Sequence, residues 1–171
     1  IRTALAAIVR ACIIEAGLDA RAVRLSRAAL ARWRANPRIE VLGREMEAHL
    51  PIISFRLRDG VGALVHHQLV TRILSDCFGV QARGGCACAG PYVHRLLGID
   101  EQQSHAIHQA IRLGAELDKP GFVRVNFSPL MSDAEAERLI ASVEQVADEA
   151  AMLARHFTAN RATAVFEPVA A

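Results

Sequence analysis

Two thiols one residue apart, Cys86 and Cys88, stand in the run Arg83-Gly84-Gly85-Cys86-Ala87-Cys88-Ala89-Gly90-Pro91. The glycines free the backbone to turn, or to approach a ligand closely. An arginine before the thiols and a helix-like segment after them (Tyr92-Val93-His94-Arg95-Leu96-Leu97) both favour the thiolate, the nucleophilic form. Reactive or ligand-holding chemistry is therefore expected at this loop. A metal clip is the competing reading, with His94 or the pair His66-His67 as further ligands. Structural zinc sites, however, space cysteines about two to four residues apart and in pairs, so no metal is expected. Gly84-Gly85 is too short for a phosphate-cradling fingerprint. Any mechanism that needs an amine side chain has a single lysine to use, Lys119, in the turn Asp118-Lys119-Pro120-Gly121.

Composition bounds the partners. A chain of 171 residues has the length of one domain with a real core. With 52% hydrophobic and 22% charged residues it falls in the ordinary globular class rather than the disordered one. Net charge is only +2 and the arginines are scattered, so neither nucleic acid nor an anionic membrane is expected as a partner. No apolar run reaches the roughly 18 residues of a membrane helix. The start, Ile1-Arg2-Thr3-Ala4-Leu5, lacks the pattern of a secretory signal. Cys12 and Cys77 occupy apolar helical positions, where buried free thiols are common, and a reducing cytoplasm is the expected setting.

The elements that must position the loop follow from periodicity. The chain opens inside a helix (Leu5, Ile8, Val9, Cys12, Ile13), which leads us to expect the C-terminal piece of a longer protein. A second helix is predicted from about Asp19 to Ala35, with Ala22, Leu25, Ala29 and Trp33 on one face and Asn36-Pro37 as its stop. Strands are predicted at Ile39–Leu42 and Pro51–Leu57, then an amphipathic helix over Leu64–Phe78 capped by Gly79. His66 and His67 open that helix and read as surface residues. Val80-Gln81-Ala82 reads as a brief strand feeding the cysteine loop. Asp100 with Gln103, and Ser132 with Glu135, look like capping boxes. The first opens a helix to about Leu117 whose His105 and His108 are solvated. The second opens a long helix striped by Leu139, Ile140, Val143, Ala147 and Ala150. Between them Phe122–Phe127 alternates as a strand with Arg124 and Asn126 on one face. After about Asn160 a loose tail is expected. The fold class is α+β (α/β in a loose scheme): a small mixed, largely antiparallel sheet covered by helices.

On the Arg83–Pro91 loop and the stretch Val123–Leu139, the segment from about Leu50 to Val146 resembles the C-terminal small domain of class V aminotransferases. These are fold-type I, pyridoxal-phosphate-dependent enzymes that include cysteine desulfurases and selenocysteine lyases. The desulfurase loop runs Arg-x-Gly-His-His-Cys-Ala-x-Pro. Arg83, Gly85, Cys88, Ala89 and Pro91 match it, while Cys86 and Ala87 replace the two histidines. The resemblance implies Cys88 as the sulfur-accepting nucleophile and Arg83 as a cation near the substrate. It implies Arg124 as the partner of the substrate carboxylate, a task suited to a planar guanidinium. It also implies residues 1–36 as linking helices from a large domain, 37–159 as the small domain and 160–171 as a tail. The Schiff-base lysine and the other cofactor-binding residues belong to that large domain. This chain is therefore expected not to bind pyridoxal phosphate covalently or to be active alone, and the parent enzyme is expected to be a homodimer acting on an amino acid. The alternative from another class is a non-catalytic module for interaction or sulfur carriage.

Overall fold

The computed structural model describes residues 11, 17–43, 50–85 and 90–169. The expected opening helix around Leu5–Ile13, with Cys12, and the thiols Cys86 and Cys88 lie outside the described residues. The first long helix, α1 (Leu18–Ala35), buries Ala22, Leu25, Ala29 and Trp33 as one stripe. It ends where the sequence places the stop. Asn36, held extended before Pro37, returns its backbone N–H to the Trp33 carbonyl at 3.2 Å.

The chain then enters a sheet through β1 (Ile39–Val41) and β2 (Ile52–Arg58). A two-residue strand, β3 (Leu64–Val65), follows, and then helix α2 (His67–Phe78). The next strand is β4 (Arg83–Gly85), leading to α3 (Gly90–Leu97) and α4 (Glu101–Arg112). A single 3-10 turn (Glu116–Asp118) precedes β5 (Phe122–Asn126) and the long helix α5 (Asp133–Leu153). Both expected capping boxes are present. Asp100 accepts from the Gln103 N–H at 2.7 Å, and Ser132 accepts from that of Glu135 at 3.2 Å, each reciprocated by the partner side chain.

Sheet order is β1-β2-β5-β4, with β3 also paired to β2, and every pairing among the described strands is antiparallel. The α+β class expected from the sequence is thus observed, in a purely antiparallel form. Strand alternation sends Ile53, Phe55 and Leu57 inward, where they join Ile39, Val41, Val123 and Val125 against α1, α2 and α5. Trp33 is the hub. Its ring lies 5.2 Å from Phe55 and 6.2 Å from Phe127, and its indole N–H donates to the Ile140 carbonyl at 3.3 Å. Burial of each such side chain contributes about 1.5–3 kcal/mol, so this inner layer dominates the stability of the sheet. Among the described residues no helix is long and apolar enough to cross a membrane.

Several elements differ from the sequence reading, among them the helix expected to reach about Leu117, which ends at Arg112. The expected helix start at Leu64 is instead strand β3, and His66 becomes the cap, its Nδ1 accepting from the Gln68 N–H at 3.2 Å. The expected loose tail is a hairpin, β6 (Phe157–Asn160) with β7 (Val165–Pro168). Its turn is closed by the Asn160 side chain, which accepts from the N–H groups of Ala162 and Thr163. Phe157 and Phe166 anchor the hairpin on the core, a placement that four-residue strands leave faint in the sequence.

Candidate functional site

Alternation along β5 buries Val123 and Val125 and turns Arg124 and Asn126 to the other side of the sheet. On one flank Arg124 pairs with Ser54 of β2; on the other it pairs with Arg83 of β4. Direct cross-strand partners share a face, so two guanidinium groups start side by side. Arg124 is half-buried and Arg83 exposed. The expected strand at Val80–Ala82 is displaced to Arg83–Gly85 because the helix stop consumes the intervening residues. Gly79 adopts a left-handed conformation (φ 65°), and Val80 returns its N–H to the Leu74 carbonyl. Gly84 then lies on the first turn of α2. A Cβ there would come within 3.1 Å of the His67 carbonyl and of the Thr71 methyl, so this glycine serves close packing.

Like charges placed directly opposite each other destabilise a sheet unless something neutralises them. Arg21, Arg24, Arg32, Arg38, Arg56, Arg58, Arg72 and Arg161 each meet a carboxylate. The Arg83 and Arg124 side chains have no such partner among the described residues. Both open onto a groove of about 740 Å³. Leu50, Ile52 and Pro129 give it apolar walls, while Gln81, Asn126 and Ser128 supply neutral polar groups. No carboxylate lines it among the described residues. Farther along the same face, Glu40 is gripped by Arg56 and Arg58. Burial pushes its carboxyl up, but the hydrogen bonds and charges of the two arginines prevail and hold it below the usual range. Those two cations are therefore engaged, whereas Arg83 and Arg124 face the groove without a carboxylate partner among the described residues.

A second cluster lies where α2 begins. His66 and His67 stack with ring centroids 4.3 Å apart, and His66 stacks on Phe166 of β7 at 5.2 Å. Their Nε2 atoms face the carbonyls of Leu117 (3.1 Å) and Lys119 (3.3 Å). Since His66 Nδ1 accepts from Gln68, its Nε2 must carry the proton, and the ring is neutral. Burial pushes both pKa values down. His67, beside His66 and Lys119, falls to about 4 and leaves its buried Nδ1 without a partner. The expected surface histidines are thus half-buried (His66) and buried (His67), because a loop far along the chain closes over them. Cys77, expected to be buried, is exposed at the last turn of α2, beyond the apolar stripe. His105 and His108 are solvated as expected.

Lys119 sits outside the groove, its amine 3.9 Å from Glu116 in the 3-10 turn. It is the only lysine in the chain. Among the described residues there is no group of three or more His, Cys, Asp or Glu placed to hold a metal. Ser54 and Ser128 were missed by the sequence reading. Alternation along Ile52–Arg58 would have exposed the first, but only the sheet register brings it beside Arg124.

No protein-family model matches the chain, and no curated protein sequence matches it.

Proposed function

We propose that this chain is the substrate-side domain of a pyridoxal-phosphate-dependent enzyme of the class V aminotransferase type, acting on an amino acid. The observation that carries this reading is the cross-strand pair Arg83–Arg124, without a carboxylate partner among the described residues and open to a groove of small-molecule size. Arg124, half-buried, grips the substrate carboxylate with both donors of its fork, and Arg83 raises the local positive potential at the mouth. Cys88, close in sequence to Arg83, is the thiol that accepts sulfur or selenium in a desulfurase- or lyase-type reaction; in a transaminase-type reaction it is a bystander. The cofactor, when bound, is the electron sink of such enzymes. Its lysine lies outside this chain, so no step through it is assigned to these residues. The parent enzyme is a homodimer working in a reducing cytoplasm, a setting that suits the exposed free thiol of Cys77.

The test uses the protein with its lysine-bearing domain. Purified protein should show cofactor absorbance that borohydride traps on that lysine. Arg124→Gln should raise KM for the amino acid about 10- to 100-fold, the loss of one charge-assisted contact. Cys88→Ala should abolish sulfide release and leave cofactor binding intact if the reaction is a desulfuration. A protein without the cofactor, or an unchanged KM in Arg124→Gln, defeats the reading.

A further inference from the structure

We infer that Arg83 and Arg124 together select an amino acid with a second anionic group at the end of its side chain, with Arg124 taking the α-carboxylate and Arg83 the distal anion. This rests on the reading above, in its transaminase-type branch where Cys88 is a bystander, and names its substrate class. Charge balance is the first argument. An amino acid with a neutral side chain brings one carboxylate and one ammonium, so it satisfies one guanidinium and leaves the other facing it. Among the described residues nothing else in the groove supplies the missing charge. Its remaining polar lining, Gln81, Asn126 and Ser128, is neutral.

Placement is the second argument. Direct partners on neighbouring antiparallel strands have Cα atoms about 5 Å apart, so the two side chains start close enough to share one short diacid. The two arms also differ in depth, Arg124 being half-buried on the inner strand β5 and Arg83 exposed on β4. A substrate anchored by its α-carboxylate at the deeper guanidinium therefore points its far end at the shallower one. Size is the third. A groove of about 740 Å³ exceeds what the shortest amino acids fill, leaving room for a carboxylate, sulfinate or phosphate terminus.

The chain itself can be tested, because it carries both arginines. L-Aspartate, L-cysteine sulfinate and O-phospho-L-serine are titrated against L-alanine at constant ionic strength, following the arginine side-chain N–H signals by NMR. At least one dianionic probe should bind tenfold or more tighter than alanine, and the tightest of them identifies the terminus. Arg83→Gln, with folding checked by circular dichroism, should remove that gap and keep alanine binding; Arg124→Gln should weaken every probe. Equal affinity for alanine and all three dianions, a gap that survives Arg83→Gln, or no saturable shift with any probe overturns the inference. The two readings fail separately. A dianion preference in a full-length protein without cofactor leaves the anion site and removes the enzyme. A full-length enzyme with cofactor, but no dianion preference in this chain, removes only the inference.

Discussion

A methyl group added at Gly121 has no space, since its carbon would lie 2.4 Å from Cδ2 and Nε2 of the His67 ring. That ring is pinned between His66 and the Lys119 carbonyl and cannot swing away cheaply. Gly121→Ala should therefore destabilise the fold by about 1–3 kcal/mol, read as a lower urea midpoint with an unchanged slope. In a His67→Ala background the same substitution should cost distinctly less, because the obstructing ring is gone. Trp33→Ala should cost about 3–5 kcal/mol, a large share of a typical domain's stability. These two residues differ in how far the sequence foretold them. Trp33 was legible as core from its helical stripe alone. His67 was not, because the loop that buries it comes some fifty positions later, and a histidine opening a helix looks solvated until that loop is in place. Arg124 falls between: alternation gave its face, whereas only the register showed which residue stands opposite.

At the level of elements, the His66–His67 stack ties the start of α2 to the 3-10 turn and to hairpin β6–β7. The Asp118–Arg161 ion pair and the bond from the Leu117 N–H to the Arg161 carbonyl join the same turn to the same hairpin. The histidine link holds only while the rings are neutral. A proton at His66 Nδ1 would remove the acceptor of the Gln68 N–H, and one at His67 Nδ1 would sit buried without an acceptor. The pH dependence follows in sign. His67 is depressed from its ordinary 6.5 to about 4, so between those values the unfolded chain binds a proton that the folded one refuses. Stability is complete above about pH 6.5 and falls as pH drops toward 4. Urea midpoints at pH 7.5 and 5 should differ by the equivalent of ~2 kcal/mol from this residue, and His67→Gln should flatten that slope. Glu40 is held below the usual carboxylate range, so its own loss comes at lower pH, whereas His66, also depressed by burial, adds a loss of the same sign in this window. Local signals foretold the capping boxes of α4 and α5. The hairpin escaped because its strands are short and gain their stability from packing on distant elements.

For the molecule as a whole, helices α1, α2 and α5 cover one side of the sheet, and α4 packs without a single buried residue. Amide exchange should follow that division. The amides of α5 and the β2–β5 ladder should open only with global unfolding, whereas those of α4 should exchange fastest among the helices, as measured by hydrogen–deuterium mass spectrometry. The fold class was legible because binary patterning and caps agree along most of the chain. Strand order was not, since nothing local states that β5 inserts between β2 and β4. That insertion shapes how the protein must fold. The central ladder joins Phe55 to Val123 and so closes a loop containing α2, β4, α3 and α4 before the sheet is complete. Loop-closure entropy comes first and the contact energy only afterwards, so the late step is this long-range zipping rather than helix formation. Substitutions that weaken α4 should speed unfolding and leave the refolding rate nearly unchanged, while Val123→Ala should slow refolding. The strand that carries Arg124 beside Arg83 thus joins β2 in the slowest step, so the proposed anion site would be complete only once the chain has finished folding.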